Sequence, residues 1–178
     1  MKNISQFSFG FLLMLLLVVS SCSKGKKQEE GNYTSFENCK YKSPVALFGP
    51  KFKDIKKHQF QQEKTYSIEQ VVFENGVALE LTQSGCNKAR QEFKFILKGD
   101  FSGRSEQEWI SVAAGLFQFL SSIDHSLMEF HNWSKAIKDK KTMIHIGQPM
   151  EVQPGFLVAI DRIVGPDITT LVVVLTEI

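Results

Sequence analysis

The sequence predicts an α+β domain in which an antiparallel sheet, a three-strand meander plus a C-terminal hairpin, packs against one long helix. Three observations carry this prediction. Alternating apolar and polar residues run through 66–98 with turn residues between them. A capped stripe of apolar residues at steps of three and four runs from Trp109 to Phe130. Apolar, β-branched runs then return at Phe156–Val164 and Leu171–Leu175. Strands, a helix and strands again is the order of an α+β chain.

The chain opens with Met1-Lys2-Asn3, a short basic start, followed by an apolar run from Phe7 to Val19 broken only by Ser8 and Gly10. That run is shorter than the roughly 20 apolar residues of a membrane-spanning helix. Basic start, apolar middle and small residues at the end is the layout of a secretory signal. The end reads Val19-Ser20-Ser21-Cys22, which resembles the lipobox of bacterial lipoproteins. The resemblance implies that residues 1–21 are a signal peptide and that Cys22 becomes the first residue, carrying diacylglyceryl and palmitate-type acyl chains. Each buried CH₂ adds about 0.8 kcal/mol and a single chain holds only marginally. The two or three chains of such lipoproteins make the attachment to the membrane stable. By the same resemblance, Ser23 in place of the Asp that retains lipoproteins in the inner membrane favours the outer membrane of a Gram-negative bacterium. Residues 24–32, Lys-Gly-Lys-Lys-Gln-Glu-Glu-Gly-Asn, are too polar to order themselves, so 22–32 reads as a flexible tether. Residues 33–178 are then a single folded domain, a length that fits one hydrophobic core.

The net charge of +2 and a hydrophobic content of 43% are those of an ordinary globular protein. A chain so close to neutral is not built as a general nucleic-acid binder, and an extracytoplasmic address points the same way. Of the three cysteines, Cys22 takes lipid. Cys39 and Cys86 are left as a pair in a compartment that permits disulfides. A bond between them closes a long loop, worth roughly 4 kcal/mol in the chain-entropy picture, and should set the alpha carbons about 5.5–6 Å apart.

Within the domain, residues 33–64 carry the weakest pattern. Ser43-Pro44 and Gly49-Pro50 break any long element, and Val45-Ala46-Leu47-Phe48 between them reads as an edge strand or a packed loop. Tyr66, Ile68 and Val72 then share one side of a period-two run. Asn75-Gly76 is a hairpin signal, because a two-residue turn needs φ > 0 at both positions. Such a turn pairs Glu74 with Val77, Val72 with Leu79 and Gln70 with Leu81. After a second turn at Ser84-Gly85-Cys86-Asn87, Phe93, Phe95 and Leu97 alternate with polar residues. Ser105-Glu106-Gln107-Glu108 has the form of a capping box. The helix it opens carries Trp109, Val112, Leu116, Leu120, Ile123, Leu127 and Phe130 on one stripe, with a break allowed near Ser121-Ser122 or Asn132. Ala113, Ala114 and Gly115 thin its middle for close approach to the sheet. Met143–Ile146 reads as a short strand. Leu171–Leu175 is apolar on both faces, which is the pattern of a central strand covered on both sides, one by the helix and part of the other by the N-terminal segment.

Chemistry-bearing residues are sparse. Cys86 with His58, His125, His131 or His145 as base is the only concrete nucleophile arrangement, and the competing disulfide is the simpler reading. Asp124, His125, Glu129 and His131 cluster late in the helix, and His125 and Glu129 share a face. No third ligand is fixed by spacing, so a solvated helix end accounts for them and neither metal nor cofactor is expected. Lys40, Lys42, Lys51, Lys53, Lys56 and Lys57 interleave with Tyr41, Phe48 and Phe52; Lys51, Lys53, Lys56 and Lys57 are the candidate contacts for an anionic envelope polymer or lipid head groups, against the simpler reading of a solvated loop with Phe48 and Phe52 in the core. Trp133 is a further candidate partner contact, whereas Trp109 falls on the core stripe. The function expected is therefore a non-catalytic binding or interaction role in the cell envelope, toward an envelope protein or polymer. The alternatives are a thiol-dependent hydrolase built on Cys86 and a histidine, and a structural or assembly subunit of an envelope complex.

Overall fold

A computed structural model describes residues 34–178 of the 178-residue chain. The leader, Cys22 and the tether expected from the sequence lie outside the described residues. The fold differs from the expectation of a meander and a hairpin on one long helix. It is one seven-stranded antiparallel sheet with two helices. The strands are β1 (Ile55–Gln62), β2 (Tyr66–Phe73), β3 (Ala78–Ser84), β4 (Arg90–Lys98), β5 (Met150–Gln153), β6 (Phe156–Val164) and β7 (Ile168–Glu177). Their order across the sheet is β1-β2-β3-β4-β7-β6-β5. The helices are α1 (Glu106–Ile123) and α2 (Glu129–Asp139), with a short 3-10 turn at His125–Leu127 between them.

Each departure has a physical reason. Strand β1, Ile-Lys-Lys-His-Gln-Phe-Gln-Gln, lies at a sheet edge and exposes most of its side chains, so it shows no apolar alternation. Strand β5 has four residues, too few for a period. Met143–Ile146 lies in turns after α2 rather than in a strand. The long helix divides at Asp124, whose backbone is extended (φ −157°, ψ 151°) and whose carboxylate accepts from the Ser126 amide. An acceptor beside the backbone is what caps a new helical turn instead of continuing the old one.

The start of α1 is as expected. Ser105 Oγ accepts from the Glu108 amide and Glu108 reaches back to the Ser105 amide. The buried stripe of α1 is centred on Ile110, Ala113 and Phe117 as well as Trp109, Leu116 and Leu120, while Val112 and Ile123 are only half-buried. Phe117 meets Phe93, Phe95 and Phe130 with ring centroids 5.0, 6.1 and 5.8 Å away, so one side chain joins β4, α1 and α2. Ser134 Oγ on α2 donates to the Ala114 carbonyl at 2.8 Å, where small side chains let the helices approach.

The β2–β3 hairpin has a three-residue loop, not two. The Phe73 amide donates to the Val77 carbonyl and the Gly76 amide to Phe73, with Gly76 at φ +86°. This is a type I turn closed by a glycine bulge. One extra loop residue shifts the register by one: Val71 pairs with Leu79 and Val72 with Ala78. A one-residue slip exchanges the faces of a strand. Ser67, Glu69, Val71 and Phe73 therefore face the helices, and Tyr66, Ile68, Gln70 and Val72 face the other way.

Cys39 and Cys86 are bonded, with alpha carbons 4.6 Å apart. The disulfide fixes the segment before β1 to the β3–β4 turn, where the Tyr41 amide also donates to the Cys86 carbonyl. From there residues 45–52 cross the helix-bearing face of the sheet and place Phe48 and Phe52 in the core. The N-terminal segment thus covers the same face as the helices, not the opposite one.

Candidate functional site

The two faces of the sheet differ. One is closed by α1, α2 and residues 45–52. Over the other, no described residue is laid, and its side chains form rows that the strand register defines. One row runs Val72, Ala78, Ile96, Thr170, Ile163 across β2, β3, β4, β7 and β6. Ile96, Ile163 and Ile168 are exposed at 38%, 72% and 52%. A shallow depression of about 620 Å³ lies over Val72, Ala78 and Ile96, with Lys57, Gln70 and Glu80 among its walls. It arises where the small Ala78 lies between two larger aliphatic neighbours.

The next rows are charged on β2–β4 and apolar on β6–β7. Gln70 Nε2 donates to Glu80, Lys94 Nζ lies 3.1 Å from Glu80 and 3.5 Å from Glu92, and Arg90 meets Glu92 at 2.7 Å. Hydrogen bonds from Gln70 and then Lys94 hold the Glu80 carboxyl below its ordinary range, and Glu80 holds the Lys94 ammonium above its own. Both groups stay charged and satisfied within the sheet. On β7 the corresponding side chains are Val172 and Val174, and on β6 Ala159 and Leu157, with Asp161 the one charge. The two-sided apolar pattern of Leu171–Leu175 is thus half answered. Leu171, Val173 and Leu175 are buried under the helices, while Val172 and Val174 stay half-exposed.

The residues singled out from the sequence fall elsewhere. Lys51, Lys53, Lys56 and Lys57 are exposed around the start of β1, and among the described residues none forms an ion pair. Lys51 lies 4.9 Å from the Phe52 ring centroid. Trp133 is 5% exposed and packs edge-on against Phe156 at 5.6 Å, so packing rather than surface presentation accounts for it. Trp109 is in the core as expected. The Cys86 sulfur is engaged by Cys39, which takes away the thiol that the hydrolase alternative requires. His125, Glu129 and His131 are exposed, and among the described residues no three metal-ligating side chains converge. His145 Nδ1 lies 2.9 Å from Glu106.

Two buried or half-buried carboxylates were not singled out by sequence reasoning. Glu69, fully buried on β2, accepts from the Leu47 and Phe48 amides at 2.9 Å each and meets His58 Nε2 at 2.7 Å. It ties residues 45–48 to the sheet. Glu177, next to last in the chain, accepts from Tyr41 Oη, from Lys40 Nζ at 2.9 Å and from the Ala89 amide. Those donors, the Tyr41 hydroxyl first, pull its carboxyl down to about 2. Both act as clasps on the N-terminal segment and neither lines the open face. Compared with protein-family models, with curated proteins and with solved structures, the chain matches none.

Proposed function

We propose that this protein is a membrane-anchored lipoprotein of the bacterial cell envelope, and that its folded domain is a non-catalytic binding module which receives a partner on the open face of the sheet. Support for the anchor is the stretch Val19-Ser20-Ser21-Cys22 behind an apolar leader. The observation that carries the binding role is the open face: a band of aliphatic side chains, several of them more than one-third exposed, on a sheet whose other face is fully packed. Contiguous exposed apolar surface of this kind is characteristic of interaction sites. Glu80, Lys94, Glu92 and Arg90 beside it are paired with one another, so these four direct a partner without any of them being desolvated as an isolated charge.

Two measurements test this. Mass spectrometry of the protein from native membranes should find an acylated Cys22 at the N-terminus, and Cys22→Ser should move it out of the membrane fraction. A photo-crosslinking side chain at Val172 should form adducts that the same side chain at Lys135, on the outer surface of α2, does not. An unmodified mature N-terminus rejects the anchor, and equal absence of adducts at both positions rejects the binding face.

A further inference from the structure

Resting on the reading of the sheet face as a binding surface, we infer that the face takes a single-chain aliphatic carboxylate, its anionic head at Lys57 and its chain laid across the strands. The register lines the residues up. Lys57 pairs with Val72, Val72 with Ala78, Ala78 with Ile96, Ile96 with Thr170 and Thr170 with Ile163. These six share the open face, so one row crosses β1, β2, β3, β4, β7 and β6. The row begins in an ammonium and continues without another charge. Lys57 is exposed and, among the described residues, has no ion pair. An aliphatic track that ends in one free cation complements an aliphatic chain that ends in one anion.

Depth, length and width agree with this. The depression over Val72, Ala78 and Ile96 has Lys57 in its wall and holds about 620 Å³, within the roughly 300–1,000 Å³ of small-molecule sites. At about 4.8 Å from strand to strand, a row across six strands is about 24 Å long. One acyl chain spans half of a bilayer core about 30 Å thick, so it fits along the row with its carboxylate at the lysine. The neighbouring row on β1–β4 is Gln59, Gln70, Glu80 and Lys94, with Glu80 bonded to Gln70 and Lys94. A second chain would press hydrocarbon onto those groups, so the face accepts one chain and not a two-chain lipid. Lys98 is also without an ion pair among the described residues, but it lies opposite Ile168, beside the middle of the row and not at its end.

The test uses the full chain in native membranes and a hexadecanoate probe with a photo-reactive diazirine at its methyl end. Irradiation should place the label in peptides of β6 and β7, near Ile163 and Thr170. Unlabelled hexadecanoate should abolish it. Hexadecanol, with the same chain and no charge, should compete about fivefold less well, and dihexadecanoyl phosphatidate should not compete. Lys57→Gln should lower labelling about fivefold, Lys57→Arg should restore it, and Lys98→Gln should leave it within about twofold. Ala78→Phe, which fills the depression from the solvent side, should lower labelling at least as much as Lys57→Gln. Equal competition by hexadecanol, or parental labelling of Lys57→Gln, overturns the anionic end. Equal competition by the phosphatidate overturns the single chain, and label in β1 overturns its direction. No label on the face overturns the inference altogether. Adducts to some other partner from the photo-crosslinker at Val172 then leave the binding role standing, and their absence rejects both.

Discussion

Two carboxylates decide how the N-terminal segment is held, and each makes a separate prediction. Replacing Glu69 by Ala leaves the buried Phe48 amide, the part-buried Leu47 amide and a His58 ring nitrogen without their partner. At about 1–3 kcal/mol for each buried group left unpaired, thermal melts should register a loss of about 3 kcal/mol or more. Glu177 acts through pH. Its folded pKa of about 2 lies below the ordinary value of 4.5. Its contribution is therefore present in full above the unfolded pKa and is lost as pH falls toward 2. Melting temperature of the Glu177→Gln protein should fall less steeply than that of the parent between about pH 4.5 and 2, where an unfolded glutamate takes up its proton first. An identical acid slope in the two proteins would show that Tyr41 and Lys40 do not engage the carboxylate. Neither role was legible in the sequence. Glu69 alternates with Ile68 and Gln70 in a run whose turn length fixes which set is buried, and Glu177 gains its partners from the far end of the chain.

At the level of elements, helix α1 was read correctly in existence, start and approximate phase, because the capping box and the apolar spacing are local signals. Its centre was displaced, because Phe117 has no place in a strict Trp109–Leu116–Leu120 stripe and gains its burial from Phe93 and Phe130. Phe117→Ala should cost about 3–5 kcal/mol in thermal melts. Glu106→Ala, losing a half-exposed contact to His145 and the dipole term, should cost about 1 kcal/mol or less. The β2–β3 hairpin was found from Asn75-Gly76, but that dipeptide serves two-residue and three-residue loops alike, and the choice reverses the faces of β2. The second turn is stricter. Gly85 has φ +104°, and an added Cβ would lie 1.9 Å from the Lys88 carbonyl oxygen. Gly85→Ala therefore forces the turn apart and should destabilise by more than about 1 kcal/mol, with slower formation of the Cys39–Cys86 bond on oxidative refolding.

For the whole molecule, the sequence announced a pair of cysteines that bond, but the expected meander and hairpin on one long helix are replaced by a seven-stranded sheet with two helices. Its two edge strands are the least legible, because β1 exposes most of its side chains and β5 has only four residues. The open face was foreshadowed by Val172 and Val174. A strand apolar on both sides asks for two covers, and the described chain supplies one. Replacing both Cys39 and Cys86 by Ser removes a bond spanning 47 positions. Equilibrium unfolding should lose up to about 4 kcal/mol, with Tyr41 and Lys40 still clasping Glu177.

The same bond determines how a load travels through the molecule. A pull from the N-terminal side would otherwise reach β1 first and unzip the edge of the sheet one backbone bond at a time. Because Cys39 is fastened to Cys86, tension bypasses β1 and enters at the turn between β3 and β4. Strand β4 is the middle of the seven, and a force applied at the strand ends there runs along β3 and β4, loading their ladders of bonds together in shear. Steady traction from the N-terminal side is therefore met at the centre of the sheet rather than at its edge. Reduction of a single covalent bond would convert that shear into peeling.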